Sequence, residues 1–225
     1  MANIFFLQFE HIMANTSLQA EWINPLRTAL CVIDVQNDFA SPTGLLGQFG
    51  LNMDVVKPAI DNMQTLVDCA HRNGIPVFFI GLKTREQDDS ATWQEWMKRQ
   101  GRDAKVESAI CREGTAGMAF YGPQPTDKDT VIYKTRYSAF FSTPLHQQLQ
   151  AMQRDTLVFC GVTTECCVES SVRDAFHYDY HAIVATDSCA AYEEDLHIAS
   201  LRAMEINFAL LSNTQKICQL WEATK

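Results

Sequence analysis

The run Thr28-Ala29-Leu30-Cys31-Val32-Ile33-Asp34-Val35 is apolar at every position except its first and its seventh. A continuous apolar run of this length is typical of a strand that is buried on both faces, as strands in a parallel sheet are. A carboxylate at the end of such a strand is costly to bury unless it is paired or has a function. This stretch therefore predicts a parallel sheet and marks Asp34 as a candidate functional residue at the carboxyl end of one strand.

The rest of the chain alternates between apolar strands and segments with helical spacing. Six strands in alternation with helices predict an α/β fold, a three-layer α/β/α sandwich with a central six-stranded, mostly parallel sheet. Asn73-Gly74 follows one helical segment directly, and glycine commonly ends a helix in this way. The predicted strands are 28–35, 76–81, 130–133, 156–161, 181–186 and 209–211, and the predicted helices are 55–72, 91–99, 143–152, 164–178, 192–204 and 213–223.

The alternation predicts a single domain over residues 28–225, since no internal repeat or linker divides it. Residues 1–27 show no clear period, and we interpret them as an N-terminal arm with a short helix near residues 13–22. Residues 100–127 are rich in glycine, proline and charge, and we expect them to form a loop.

Composition narrows the class of protein. The chain has 225 residues, of which 47% are hydrophobic and 20% charged, so it is not a disordered protein. Its formal net charge is −9 and it has no basic tract, so we expect neither nucleic acid nor a membrane as a partner. The N-terminus lacks the pattern of a signal peptide, and the eight cysteines form no C-x-x-C pair. We therefore expect a cytoplasmic protein with reduced thiols.

Three segments with chemically useful side chains follow predicted strands. In doubly wound sheets the ligand crevice lies at the carboxyl ends of the strands. Asp34, Lys134 and the residues after Gly161 should therefore meet at one edge of the sheet. From the residues alone, Asp34 and Lys134 could equally form a structural ion pair or a catalytic pair.

Two adjacent cysteines lie where a helix is predicted to begin after the strand 156–161. In the first turn of a helix the positive end of the dipole favours a thiolate, and free backbone N–H groups could bind an oxyanion. Cys166 and Cys167 are separated by about 100° around an α-helix, so they should face different ways. Spacing alone does not decide which of them faces the crevice, and packing in the core is the ordinary role of a buried cysteine.

Three motifs together resemble the isochorismatase-like cysteine hydrolases, and the resemblance extends over about residues 28–211. The motifs are Asp34-Val35-Gln36-Asn37-Asp38-Phe39, Lys134-Thr135-Arg136-Tyr137-Ser138-Ala139-Phe140 and Gly161-Val162-Thr163-Thr164-Glu165-Cys166-Cys167-Val168. The resemblance implies that an Asp–Lys–Cys triad hydrolyses small amides. It assigns Asp34 as the acid/base, Lys134 as its partner and Cys167 as the nucleophile, because the family places the nucleophile directly before a valine.

The resemblance implies further features of the site. The reaction would pass through a thioester on Cys167, and the backbone N–H groups of Thr163 and Cys167 would bind the oxyanion. The peptide bond Val162–Thr163 would be cis. Residues 81–89 lack the histidine of the zinc site found in nicotinamidases, so we expect no metal and no cofactor. Members of the family are often dimers or tetramers, so we expect a homodimer or a homotetramer.

Within the family, the sequence is most similar to ureidoacrylate, N-carbamoyl and biuret-type amidohydrolases. The predicted reaction is hydrolysis of the C–N bond of a small linear amide, ureido or carbamoyl compound. The candidate substrate contacts are Phe39, Trp93, Arg136 and Tyr137. Arg136 could bind a substrate carboxylate or be a surface charge, and Trp93 and Trp96 could form a lid over the pocket or a packing face.

Three alternatives remain open from the sequence. The first is an isochorismatase-type ether or ester hydrolase that uses Asp34 and Lys134 without a thioester. The second is a non-catalytic binding protein on the same fold. The third is a redox role for Cys166 and Cys167, which the strained geometry of a disulfide between neighbouring residues disfavours.

Overall fold

The computed structural model describes residues 18–223. Its six strands form one sheet in the order β3-β2-β1-β4-β5-β6, and every pairing is parallel, so the predicted α/β sandwich is confirmed. The strands are β1 Thr28–Ile33, β2 Val77–Leu82, β3 Thr130–Lys134, β4 Thr156–Val162, β5 His181–Ala190 and β6 Ala209–Ser212. The helices of seven or more residues are α1 Lys57–Arg72, α2 Ala91–Arg99, α3 Leu145–Ala151, α4 Glu169–His177, α5 Glu194–Asn207 and α6 Thr214–Glu222.

The two faces of the sheet lie in two separate hydrophobic cores. Alternate residues of a strand point to opposite faces, so Leu30 and Val32 of β1 belong to one core and Cys31 and Ile33 to the other. The first core includes α1 and α6, and the second includes α3, α4 and α5. Every residue of β1 is buried, as its continuous apolar run predicts.

Strand β1 lies at the centre of the sheet, with β2 on one side and β4 on the other. Ile33 is opposite Ile80 of β2 and Gly161 of β4, so these three strands end close together. Leu82, the last residue of β2, is opposite Lys134 of β3. The carboxyl ends of four neighbouring strands therefore form one edge, and the candidate residues lie along it.

Several segments differ from the prediction. The region 100–127 contains the helical turns Ala104–Glu107 and Ala116–Met118, which are too short for any helical period to show in the sequence. Strand β5 continues four residues beyond its predicted end to Ala190, and α5 begins at Glu194 rather than at 192. Part of the predicted helix 164–178 has a different geometry, described below with the site.

The start of the described chain packs on the domain. Leu18 and Ile23 are buried in the first core, and Ala20–Ile23 forms a single 3₁₀ turn. The predicted helix near residues 13–22 begins outside the described residues. No helix within 18–223 combines the length and the apolar character needed to cross a bilayer.

Candidate active site

Asp34 follows the last residue of β1 and is completely buried. Its backbone is in the left-handed region (φ 51°), which aspartate adopts more readily than most residues. Its amide donates a hydrogen bond to the carbonyl of Ile80 (2.8 Å), which ties it to the neighbouring strand β2. The end of β1 and this hydrogen bond together fix the position of the carboxylate.

Lys134, the last residue of β3, connects the other two candidate residues. Its Nζ donates to Asp34 Oδ2 (2.6 Å) and to the carbonyl of Arg136 (2.9 Å), and it lies 3.6 Å from Cys167 Sγ. These three contacts match the three protons of an ammonium group. The side chains of Asp34 and Lys134 are both fully buried, so their ion pair is shielded from water.

The turn that carries Cys167 is wider than an α-helical turn. After β4 the Val162–Thr163 peptide is cis, as predicted. Residues Thr164–Val168 then form a π-helical turn, in which the amide of Val168 donates to the carbonyl of Thr163 (3.2 Å). The α-helix α4 begins only at Glu169, so the prediction of an α-helix from residue 164 was wrong for its first five residues.

The wide turn brings a second thiol to the site. Both Cys166 and Cys167 line the same cavity, whereas α-helical spacing predicted that Cys166 faces elsewhere. More residues share each turn of a π-helix, so neighbouring side chains point in more similar directions. The thiol that contacts Lys134 is that of Cys167, which is buried, while Cys166 is half-buried.

Asp34 and Lys134 shift each other's protonation. Burial raises the pKa of Asp34, and the Lys134 ammonium offsets only part of that effect. Burial acts to lower the pKa of Lys134, but Asp34 and the nearby thiols together hold it above its ordinary value. Lys134 therefore remains an ammonium, and Asp34 is a stronger base than an ordinary aspartate.

The surroundings of Cys167 favour the neutral thiol over the thiolate. A hydrogen bond with Cys166 and burial raise its pKa well above that of an ordinary cysteine, while Lys134 lowers it only in part. A base must therefore take the thiol proton when the sulfur attacks. Asp34 Oδ1 is buried and, within residues 18–223, has no hydrogen-bond partner, so this oxygen is available as the acceptor.

A cavity of about 440 Å³ opens beside Cys167 at this edge of the sheet. All four predicted substrate contacts lie around it, together with the two residues expected to form the oxyanion site. The aromatic rings of Trp93 and Tyr137 meet edge to face, with centroids 6.3 Å apart. The lining residues are Phe39, Leu82, Ser90, Thr92, Trp93, Trp96, Ile110, Thr135, Arg136, Tyr137, Thr163, Cys166 and Cys167.

Gln36, to which the sequence assigns no role, joins the segment after β1 to the end of β2 and to the segment around Met118. Its Oε1 accepts a hydrogen bond from the amide of Leu82 (2.7 Å), and its Nε2 donates to the carbonyls of Leu82 and Met118 (2.8 Å each). A side chain at Gly81 would come within 3.1 Å of this amide group. Gln36 lies in the first motif quoted above, but nothing in its spacing indicates which segments it binds.

A second residue that the sequence did not single out, Arg112, fixes the helix with the two tryptophans. Its guanidinium donates to both carboxylate oxygens of Asp89 (3.0 and 2.9 Å) and to the carbonyl of Ser108 (2.8 Å). Asp89 immediately precedes Ser90, whose Oγ accepts a hydrogen bond from the amide of Trp93 (3.2 Å) at the start of α2. This chain of contacts holds α2 against the cavity.

A larger cavity, of about 520 Å³, lies at the opposite edge of the sheet. Thr156, His181 and Ala209 line it at the amino ends of β4, β5 and β6, far from the three candidate residues in the topology. Volume therefore does not identify the active site here. Across residues 18–223, no three or more His, Cys, Asp or Glu side chains are grouped so as to hold a metal ion.

Comparisons with known proteins agree with the fold. A family model described as the isochorismatase domain matches residues 28–216. Ureidoacrylate amidohydrolase RutB from Methylobacterium radiotolerans is 34% identical over 201 residues, which cover 85% of this chain and 78% of that protein. The protein of the same name from Acinetobacter baylyi is 30% identical over 214 residues, covering 91% and 87%. A cysteine hydrolase from Pseudomonas syringae shares the fold, with a TM-score of 0.78 at 24% identity over 94% of this chain and 100% of that one.

Proposed function

Because this chain belongs to the isochorismatase domain family, we propose that it hydrolyses the C–N bond of a small linear amide, ureido or carbamoyl compound. One observation carries the proposal: Lys134 Nζ contacts both Asp34 Oδ2 and Cys167 Sγ beside an open cavity. This is the arrangement of a nucleophile, an acid/base and a group that orients them. The two relatives named ureidoacrylate amidohydrolase support a reaction at a C–N bond.

In the proposed mechanism Cys167 is the nucleophile and Asp34 transfers the protons. Asp34 accepts the thiol proton while Sγ attacks the carbonyl carbon, and it then gives that proton to the leaving nitrogen as the C–N bond breaks. The acyl group remains on Cys167 as a thioester, or as a thiocarbamate when the substrate is a ureido compound. Asp34 next takes a proton from water as the water oxygen attacks the acyl carbon. That proton passes to Sγ as the C–S bond breaks, which restores the thiol.

Other groups balance charge in the site and position the reacting atoms. Lys134 keeps the buried Asp34 oriented and balances its charge. The backbone N–H groups of Thr163 and Cys167 bind the oxyanion that forms during each attack, where such donors contribute most to catalysis. Phe39, Trp93, Arg136 and Tyr137 contact the substrate, and their places around the cavity support this role.

The decisive experiment combines an assay for released ammonia with intact-protein mass spectrometry. Hydrolysis of any compound in a panel of small amides, ureas and carbamoyl acids, together with a mass increase on Cys167 at early times, supports the proposal. Turnover without a covalent adduct, even after rapid quenching, would favour hydrolysis by Asp34 and Lys134 alone. No turnover of any compound would favour a binding protein.

We further propose a cytoplasmic homodimer or homotetramer that uses no metal or cofactor. All eight cysteines are free thiols, which is typical of proteins in a reducing compartment. The assembly follows from the family resemblance, and light scattering on the purified protein measures it directly.

A further inference from the structure

We propose that the cavity selects carbamoyl or ureido acids that carry an aromatic or similarly bulky apolar group, rather than the smallest linear compounds. This inference rests on the proposed function, because it names the substrate class of the same site. It follows from three features of the cavity, namely its apolar wall, its single charged side chain and the contacts that fix the wall in place.

Large aromatic and aliphatic side chains form much of the wall of the cavity. Six of its thirteen lining residues have large apolar or aromatic side chains: Phe39, Leu82, Trp93, Trp96, Ile110 and Tyr137. Its volume of about 440 Å³ lies within the range of sites that hold drug-sized ligands. A carbamoyl group bound at Cys167 would contact only the residues around the thiol. Most of the apolar wall would then face water, so a substrate with a larger apolar substituent should bind more tightly because it covers this surface.

Arg136 is the only charged residue among those that line the cavity. It is half-buried, and within the described chain its guanidinium donates to one acceptor, the carbonyl of Thr135. A guanidinium has five N–H donors and binds carboxylates with two parallel hydrogen bonds. Because no lining residue is acidic, the cavity favours an anionic ligand over a cationic one.

Contacts within the protein hold the apolar wall in place. Arg112 and Asp89 anchor the start of α2, and the ring of Tyr137 packs against that of Trp93. Trp96 and Tyr137, which line the cavity, nevertheless each remain 43% exposed, although such surface is costly to leave in water. A wall held open in this way binds a matching ligand without having to reorganise.

Three compounds with the same scissile group separate the requirement for an aromatic ring from the requirement for a carboxylate. N-carbamoyl-phenylalanine has both the aromatic ring and the carboxylate, N-carbamoyl-alanine lacks the ring, and 2-phenylethylurea lacks the carboxylate. We expect kcat/KM for the first to exceed that for each of the others by about 10-fold or more. Against N-carbamoyl-alanine this factor corresponds to burial of one aromatic side chain, and against 2-phenylethylurea to one hydrogen-bonded charge. A value for either comparison compound equal to or above that for N-carbamoyl-phenylalanine would overturn the proposal.

Two variants of cavity residues test which side chain causes the preference for the aromatic ring and which causes the preference for the carboxylate. Trp93→Ala should reduce the ratio of N-carbamoyl-phenylalanine to N-carbamoyl-alanine, and Arg136→Gln should reduce the ratio of N-carbamoyl-phenylalanine to 2-phenylethylurea. The matched controls are Trp22→Ala, at the opposite edge of the sheet, and Arg202→Gln, on the exposed side of α5, and both should keep the wild-type ratios. Ratios unchanged in the cavity variants would contradict the assignment.

Failure of the inference can be distinguished from failure of the proposed function. If ammonia is released from N-carbamoyl-alanine at least as fast, and Cys167→Ala abolishes that release, the function stands and the inference falls. If no compound is hydrolysed, the function falls. Calorimetric titration of the three compounds into the Cys167→Ala protein then tests the cavity alone, and the same order of affinity is expected.

Discussion

Two neighbouring thiols with different surroundings allow the nucleophile to be tested at the scale of single residues. Cys167→Ala should lower kcat by about 10⁴-fold or more, because the covalent step is lost. Cys166→Ala should retain most of the activity. It should also speed alkylation of Cys167 by iodoacetamide, because the hydrogen bond that the Cys167 thiol makes to Cys166 raises the pKa of Cys167. Steady-state kinetics and peptide mass spectrometry measure both effects, and an inactive Cys166 variant beside an active Cys167 variant would reverse the assignment.

The pH dependence follows from the same groups. Asp34 must be ionised to accept the thiol proton, and burial raises its pKa. Activity should therefore fall as the pH decreases through a value above about 3.9, the ordinary pKa of aspartate. Alkylation of Cys167 should keep increasing above pH ~8.5, the ordinary pKa of cysteine, because its own pKa is higher. An alkylation rate that is already constant near neutral pH would indicate a resting thiolate.

At the scale of elements, Gln36 fixes the end of β2 relative to β1. Gln36→Met keeps the size of the side chain but removes three hydrogen bonds, two of them to Leu82 in the cavity wall. We expect kcat to fall about 10-fold or more, because displacements of about 1 Å in an active site cost up to about 100-fold. Gln64→Met on the exposed side of α1 is the control. A normal kcat in a folded Gln36 variant would show that its role is structural only.

Close approach of strands β1 and β4 requires glycine at position 161. Its φ is 136°, and a Cβ there would lie 2.2 Å from the carbonyl oxygen of Ile33. Gly161→Ala should lower the free energy of unfolding by about 3 kcal/mol or more. Gly74→Ala, at a φ of 67° with nothing within 4 Å of its Cβ, should cost only about 1–2 kcal/mol. Urea denaturation measures the free energy of unfolding of both variants. Equal losses of stability would mean that β1 can move away from β4 to make room for the new methyl group.

For the whole molecule, metal independence is the clearest prediction. The proposed chemistry uses a thiol, a carboxylate and an ammonium group, none of which needs a metal ion. Dialysis against a strong chelator should leave kcat unchanged, and elemental analysis should find no stoichiometric zinc. Loss of activity that added zinc restores would contradict the prediction.

The sequence predicted the positions of residues at the ends of strands. It did not predict the contacts of side chains that reach from one segment to another. Asp34, Lys134 and the Cys167 turn could be placed at one edge because the carboxyl ends of parallel strands meet there. The hydrogen bonds of Gln36 to Met118 and of Arg112 to Ser108 could not be predicted, since Met118 and Ser108 lie in a region with no periodic pattern. The protonation state of Cys167 depends on burial and on the orientation of its neighbour, and spacing encodes neither.

The distribution of thiols through the molecule has a practical consequence. Six of the eight cysteines are buried. Among them, Cys31, Cys111 and Cys160 have pKa values raised by burial, so these three thiols are unreactive while the chain is folded. Unfolding exposes all of them at once to air oxidation. We therefore expect heat damage to this protein to become irreversible through newly formed disulfide bonds unless a reductant is present. The number of thiols that react with a colorimetric reagent also serves as a direct count of how much of a sample has lost its native structure.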